Sequence, residues 1–499
     1  MKKESIKFAL GVLAIVVVFL DLALLNINAP FNHATADSNG FFGLAAENLA
    51  KEGVWNLKFG LYPEIISPGD ILRGKFYTHH PDGFIFPTVI LYKMFGTSEA
   101  TTRLGPILMM IFALCLFAYA LRKIFRNDFK AWLATLILAI LPGFIFYGEL
   151  LEISVAALAA ALVSFSLFAF CYPEGKRINF VLFYISLFIG GLFGWFFYFL
   201  PAVLWVFVLF SKTAAKIKLL ILMPVIMLAA AALNLAHFFW LNGNVISDLW
   251  AVADERSGGL AWKYWLPRIF SMLALHATGL FLILAGAGLV VFFLHLKKNP
   301  EWRIFLPLLA YPLLICIVFR QWVTHPFGVI YFLPIIAVLS AISLFTLFDF
   351  LSARFGQTGK IIGIAEIAVI ILAGLFLSYG NLNYFFKDFT ILDSKDIELV
   401  KFISRASDLQ DNNVCLGDNN FHINMVPILE WCLGKKVSCA DKSKIKIVLA
   451  FNPELDQALG GSFYTKKLEE FKSLGYKMNG CSGSLCSMAK GTSSPPQTK

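Results

Sequence analysis

Apolar residues in this chain gather into long runs, and short turns rich in lysine and arginine separate them. Runs of this kind approach the ~20 residues a helix needs to cross ~30 Å of hydrocarbon. Spans are expected near 7–25, 102–121, 131–147, 154–171, 179–195, 197–211, 219–241, 271–295, 304–319, 327–349 and 361–380. The stretch 178–211 is too long for one span, and Gly190, Gly191, Gly194 and Trp195 mark a turn between two short ones. The expected fold class is an all-α polytopic membrane bundle of about 11 transmembrane helices over residues 1–381.

Two long segments break the pattern. In the first, about 26–101, Phe41, Phe42, Ala45, Ala46 and Leu49 recur at helical spacing, while Glu47 and Lys51 share another face. A short amphipathic helix over 38–52, resting on the membrane, is expected. Asp37 stands at or just before its N-terminus, where aspartate is a favoured cap. In the second segment, 382–490, "NNVCLG" and "KIKIVLAF" read as strands, and "NMVPILEWCLG" and "YTKKLEEFKSLGY" read as helices. That pattern predicts a small C-terminal α/β domain, followed by a disordered tail over 491–499. A shorter segment, 242–270, mixes aromatic and charged residues as a stretch at the membrane interface does.

Composition agrees: 499 residues, 58% hydrophobic, 15% charged, mean hydropathy +0.73. An ordinary soluble domain is excluded. The net charge of +10 would suggest nucleic acid if it clustered on a folded surface. It sits instead in turns: Lys2, Lys3 and Lys7; Arg122, Lys123, Arg126 and Lys130; Lys176 and Arg177; Lys212, Lys216 and Lys218; Lys297, Lys298 and Arg303; Arg354 and Lys360. No nucleic-acid partner is expected, and the positive-inside rule puts these turns and the N-terminus in the cytoplasm. An odd span count then puts the C-terminal domain outside. The first apolar run, about 18 residues, exceeds a signal-peptide core of ~7–15 and reads as an uncleaved anchor. The "MKKESIK" start without a sorting signal points to a bacterial inner membrane.

Five of the eight cysteines, Cys415, Cys432, Cys439, Cys481 and Cys486, fall in the outside segment, where disulfides are permitted. The sequence-local pairings are Cys432–Cys439 and Cys481–Cys486, with one thiol left over. Zinc is the alternative, but no paired CxxC spacing supports it.

The residues that could carry chemistry lie on the same outer side. Glu149 and Glu152 occupy the turn "FYGELLEIS", with no lysine or arginine nearby to pair them. Arg103 opens the second span, and "RQWVTH" brings Arg320, Trp322 and His325 into one turn. "YTHHPDGFIFP" at 77–87 holds His79, His80 and Asp82. Each has a plain reading: Asp37 as a helix cap, the glutamates as a solvated turn, the arginines snorkelling to headgroups. Taken together they describe an acid-lined, electropositive pocket suited to a phosphate-bearing lipid.

The order of these features resembles the GT-C class of integral-membrane glycosyltransferases. The similar branch is the one related to protein O-mannosyltransferases and lipid A aminoarabinose transferases. "TADSNGFFGLAAENLAKEG" matches its acidic residue before an amphipathic helix, and "THHPDGFIFPTVILYKMFG" its His-Pro-Pro-like loop end. "FGTSEATTRLGPIL" matches its Gly-x-Ser-Glu and arginine, and Glu149 or Glu152 its second acid. Where the family often has a second proline, this chain has Asp82. No "WWD" tripeptide occurs, unlike the oligosaccharyltransferase branch.

The resemblance implies a glycosyltransferase with a polyprenyl-phosphate-linked monosaccharide as donor and a lipid, saccharide or protein acceptor outside the cytoplasm. Transfer would invert the anomeric centre. Asp37 would be the base, Glu152 or Glu149 would orient the acceptor, and Arg103, His80, Arg320, His325 and His79 would attend the donor phosphate. No cofactor is certain, and a divalent metal on His79, His80 and Asp37 remains an open alternative. A transporter or flippase for a lipid-linked sugar is the competing reading, which the lack of an inverted repeat disfavours. A polysaccharide polymerase or ligase shares the donor class but not the first-loop pattern.

Overall fold

The computed structural model describes residues 2–29, 31, 37–64, 66, 76–243, 245–257, 261–387, 414–416, 447–451, 476–482 and 485–490. In chain order the helices are α1 (Lys2–Ala23), α2 (Asp37–Glu52), α3 (Phe86–Phe95), α4 (Glu99–Phe125), α5 (Asp128–Ile140), α6 (Pro142–Gly148) and α7 (Ile153–Cys171). They continue with α8 (Arg177–Gly191), α9 (Phe199–Phe210), α10 (Lys216–Asn242), α11 (Ile246–Ser257), α12 (Trp262–His295), α13 (Phe305–Val318) and α14 (Leu333–Lys387). Short 3-10 turns lie at Gly83–Ile85, Trp195–Tyr198, Pro300–Ile304, Arg320–Thr324 and Pro326–Phe332. The strands are β1 (Val414–Leu416), β2 (Ile447–Phe451), β3 (Tyr476–Ser482) and β4 (Leu485–Lys490).

Among the described residues seven helices are long and apolar enough to cross a bilayer, or eight if the bent pair α5–α6 is one span. The chain is a polytopic helical membrane protein. By length the count stops short of the eleven expected, for two reasons. Helices α8 and α9 have 15 and 12 residues, fewer than the ~20 a span needs. The spans expected at 327–349 and 361–380 fall in α14, two helices joined at a kink at Gly356, whose φ of +58° and ψ of −130° are non-helical and suit glycine; by length they count as one. The bend of 62° between α5 and α6 has a local cause. Leu141 precedes Pro142, which drives it out of the helical region, and Pro142 then starts α6 at its first position.

The described residues divide into two compact units. The first comprises residues 1–27, 78–91 and 103–384. One end of it collects the basic turns. Lys123 Nζ donates to the carbonyls of Ala169, Phe170 and Tyr172 at 2.7, 3.1 and 3.0 Å, satisfying orphan acceptors at the end of α7. Arg122 pairs with Asp128 at 2.7 Å, Lys130 with Asp349 at 3.4 Å, and the Phe125 ring meets Trp302 at 6.2 Å. Turns that the charge pattern assigned to one side thus converge in space.

The second unit comprises residues 28–77, 92–102 and 385–499. Helix α2 begins at Asp37, and Lys51 pairs with Glu47 across one turn as its spacing predicts. It does not present a broad apolar face outward, as a helix resting on a membrane would. Phe42, Leu44, Ala45, Ala46, Asn48 and Leu49 are all buried. The buried polar position has a purpose: Asn48 Nδ2 donates to the carbonyls of Tyr62 and Glu64 at 2.8 and 2.7 Å, tying the following loop to the helix. A single bridge between Leu61 and Tyr77 closes that loop.

The strands form a sheet in the order β1-β2-β4-β3, parallel between β1 and β2 and antiparallel elsewhere. β1 and β2 lie where the sequence predicted strands. A parallel pair needs a crossover, but both helices expected in this segment, Cys432, Cys439 and the 491–499 tail lie outside the described residues. In the β3–β4 hairpin, Cys481 and Cys486 are direct register partners.

Candidate functional site

The acidic turn after α6 separates two glutamates that the sequence left equivalent. Glu152 is the N-cap of α7, with its carboxylate accepting from the backbone N–H of Ser154 at 2.6 Å and of Val155 at 3.3 Å. This is the ordinary use of an acid at the positive end of a helix. Glu149 is committed differently. It is 1% exposed, and neither carboxylate oxygen has a hydrogen-bond partner among the described residues.

Arg103 meets Glu149 there, its Nε 3.9 Å from Glu149 Oε2 with both side chains buried. The expectation that no basic residue pairs the outer glutamates is corrected, because the partner comes from a distant helix that loop spacing cannot show. Arg103 is wholly buried, and its Nη1 donates to the Ile27 carbonyl at 3.1 Å. The snorkelling reading does not hold for it. Burial pushes the Glu149 carboxyl up to about 7, and Arg103 offsets only part of that rise.

The end of the first loop is anchored in the same unit. Trp195 Nε1 donates to the His79 carbonyl at 2.9 Å, and Asn242 Nδ2 donates to Thr78 Oγ1 at 3.2 Å. His80 is buried, with its ring 6.2 Å from that of Phe196. Asp82 is buried, lies 3.6 Å from His237 Nδ1, and has its carboxyl pushed well above the usual range by burial.

A run of ring contacts carries this corner across to the acidic turn. Phe196 stacks on Trp322 at 4.5 Å, and Trp322 meets His325 at 5.2 Å and Phe327 at 4.9 Å. Phe327 lies 6.5 Å from Tyr147, which stacks on His276 at 5.3 Å. Tyr147 is two residues before Glu149. The first unit therefore links His80, His325 and the Arg103–Glu149 turn through one aromatic wall. The rings of this wall are themselves packed, with Phe196, Trp322 and Tyr147 no more than 3% exposed, so it joins the two corners as a rigid core.

Not every expected residue joins. The Arg320 guanidinium lies over the Trp262 ring at 5.2 Å, an arrangement that occupies its face. Asp37 belongs to the second unit, as the first residue of α2, and its side chain is outside the described part. The metal reading that joined it to His79 and His80 rests on that side chain. Among the described residues no three His, Cys, Asp or Glu side chains form a ligand group. Sequence reasoning passed over Tyr147, Phe196, His237 and His276. For the two histidines a signal existed, since ionisable residues inside apolar helices are rare.

No protein-family model matches the chain, and no curated protein matches it in sequence. Its fold does match solved structures. ArnT from Cupriavidus metallidurans bound to undecaprenyl phosphate superposes with a TM-score of 0.66 at 14% identity, over 97% of this chain and 99% of that one. The archaeal oligosaccharyltransferase AglB from Archaeoglobus fulgidus, in complex with an inhibitory peptide and a dolichol-phosphate, gives 0.61 at 13% identity, over 98% of this chain and 74% of that one. The chain has the fold of the GT-C glycosyltransferases, as its sequence features suggested.

Proposed function

We propose that this protein is a membrane glycosyltransferase that moves a monosaccharide from a polyprenyl-phosphate donor to an acceptor outside the cytoplasm, with inversion. One observation carries the reading: a likeness covering nearly the whole chain to an ArnT structure that holds undecaprenyl phosphate. The dolichol-phosphate in the AglB structure supports the same donor class. A cytoplasmic N-terminus, supported by the distribution of basic turns, completes the proposal, with a bacterial inner membrane supported by the "MKKESIK" start and an outside C-terminal α/β domain by the eleven spans expected from the sequence.

In the reaction, an acceptor hydroxyl oxygen attacks the anomeric carbon and forms the new glycosidic bond. The bond from that carbon to the phosphate oxygen breaks, and its electron pair leaves with the lipid phosphate. The hydroxyl proton passes to Asp37 as general base. His80 and His325 serve as donors to the phosphate as its charge grows. Arg103 supplies positive charge from below, held by Glu149. Glu152 keeps the turn in shape by capping α7, so orienting the acceptor falls to Glu149. Arg320 and His79 are outer contributors to donor binding.

Purified protein in detergent, incubated with membrane lipid extract, tests the proposal by mass spectrometry. A transferase consumes a polyprenyl-phosphate sugar in this single compartment and yields a glycosylated product. A transporter has no second compartment to fill and leaves the donor intact.

A further inference from the structure

The corner at residues 78–83 is held by more bonds than a solvent-facing loop end needs. Asn242 on α10 reaches Thr78 at 3.2 Å, Trp195 reaches the His79 carbonyl at 2.9 Å, and the Gly83 N–H donates to the Leu192 carbonyl at 2.9 Å. A Cβ on Gly83 would sit 2.7 Å from that carbonyl oxygen, so the approach itself requires glycine. Beside these bonds lies one acid–imidazole contact. Asp82 Oδ2 is 3.6 Å from His237 Nδ1, with side chains 4% and 19% exposed. Neither Asp82 oxygen has a hydrogen-bond partner among the described residues, so the imidazole is the polar side chain shown nearest its buried carboxyl. Neither residue belongs to the reaction as proposed above, and Asp82 replaces a proline the resembled family often carries.

We infer that Asp82 and His237 form a positioning pair, fixing the loop end to α10 so that the His80 ring, set against Phe196, meets the donor's phosphate. This rests on the polyprenyl-phosphate reading above. The pair acts through His80 and does not itself touch substrate. A backbone corner closed by single hydrogen bonds can pivot, whereas a carboxyl buried against an imidazole behind it penalises movement that separates the two polar groups. Misplacing a phosphate donor by about 1 Å costs on the order of 100-fold in a preorganised site, so loss of the pair is expected to weaken donor use on the order of tenfold.

The test uses the full chain in detergent with undecaprenyl phosphate alone as probe, its affinity read by native mass spectrometry. The variants are Asp82→Asn, His237→Gln and the two combined, each with its melting temperature. The expected result is a loss of affinity of about tenfold for either single variant, with the double no worse than the singles, the mark of two residues acting as a unit. His237→Gln changes a partly exposed side chain and keeps the test readable if Asp82→Asn does not fold. Wild-type affinity in folded single variants overturns the inference, as do additive losses in the double. A wild-type protein that binds no undecaprenyl phosphate overturns the functional reading itself, and this inference with it.

Discussion

Replacing Glu149 by glutamine removes a carboxyl that is 1% exposed and 3.9 Å from the guanidinium of Arg103. At an effective dielectric of ~20 the attraction across that gap is about 4 kcal/mol. Desolvation opposes it and prevails, lifting the group from 4.5 to about 7. The net preference for the neutral acid is about 3 kcal/mol. Between these pH values the folded chain keeps a proton that the unfolded chain releases. Stability from this group is therefore full below pH 4.5, declines as pH rises through about 7, and is constant above. Thermal unfolding of wild type and Glu149→Gln in detergent, from pH 4.5 to 8.5, reads the effect. The wild-type melting temperature is expected to fall relative to the variant by several degrees, at about 2–4 °C per kcal/mol, and then to run parallel above neutrality. A constant offset across the whole range would refute the burial argument.

Glu152→Ala is expected to lower stability by about 0.5–2 kcal/mol through loss of the α7 cap, while Glu152→Asp restores most of it; equal melting temperatures for all three proteins would contradict the capping role. Cys481 and Cys486, as direct partners in an antiparallel hairpin, fall in the Cα separation of about 4.4–6.8 Å that a disulfide spans. Alkylation followed by peptide mass spectrometry should find both protected until reductant is added, and labelling of either thiol beforehand counts against the bond. Gly288 leaves no room for a side chain, since a Cβ there would lie 1.9 Å from the Leu339 carbonyl oxygen; Gly288→Val should cost at least about 1–3 kcal/mol of stability in forcing α12 and α14 apart, and a wild-type melting temperature would show that the helices do not approach this closely.

The helical membrane class was legible because hydrocarbon thickness imposes run length directly on the sequence. Span count was less so, because α8 and α9 are shorter than a bilayer, whereas the kink of α14 at Gly356 falls in the polar turn between Arg354 and Lys360. Charge in the turns carried real information, since Lys123 reaches the end of α7 and Lys130 reaches Asp349. Pairing across the fold did not show. Nothing in "FYGELLEIS" distinguishes Glu152, whose partners are its own next residues, from Glu149, whose partner is 46 positions earlier in the chain. Helix α2 misled for a related reason: its spacing announced amphipathicity, but only tertiary contact reveals that Asn48 is inward and bonded. The aromatic wall joins Phe196, Trp322 and Tyr147 from separate elements, and aromatic residues are too common along this chain to single them out.

The most direct test of the central claim is a mass balance in detergent, with wild type and Asp37→Asn incubated with membrane lipid extract and free polyprenyl phosphate counted. Asparagine caps helices as well as aspartate does, so the variant should stay folded. The account predicts one polyprenyl phosphate released per sugar transferred by wild type, and a loss of about 10²–10⁴-fold in the variant. Equal behaviour of the two proteins, with the lipid-linked sugar untouched, would contradict it and leave Asp37 as a helix-terminal residue without a part in chemistry.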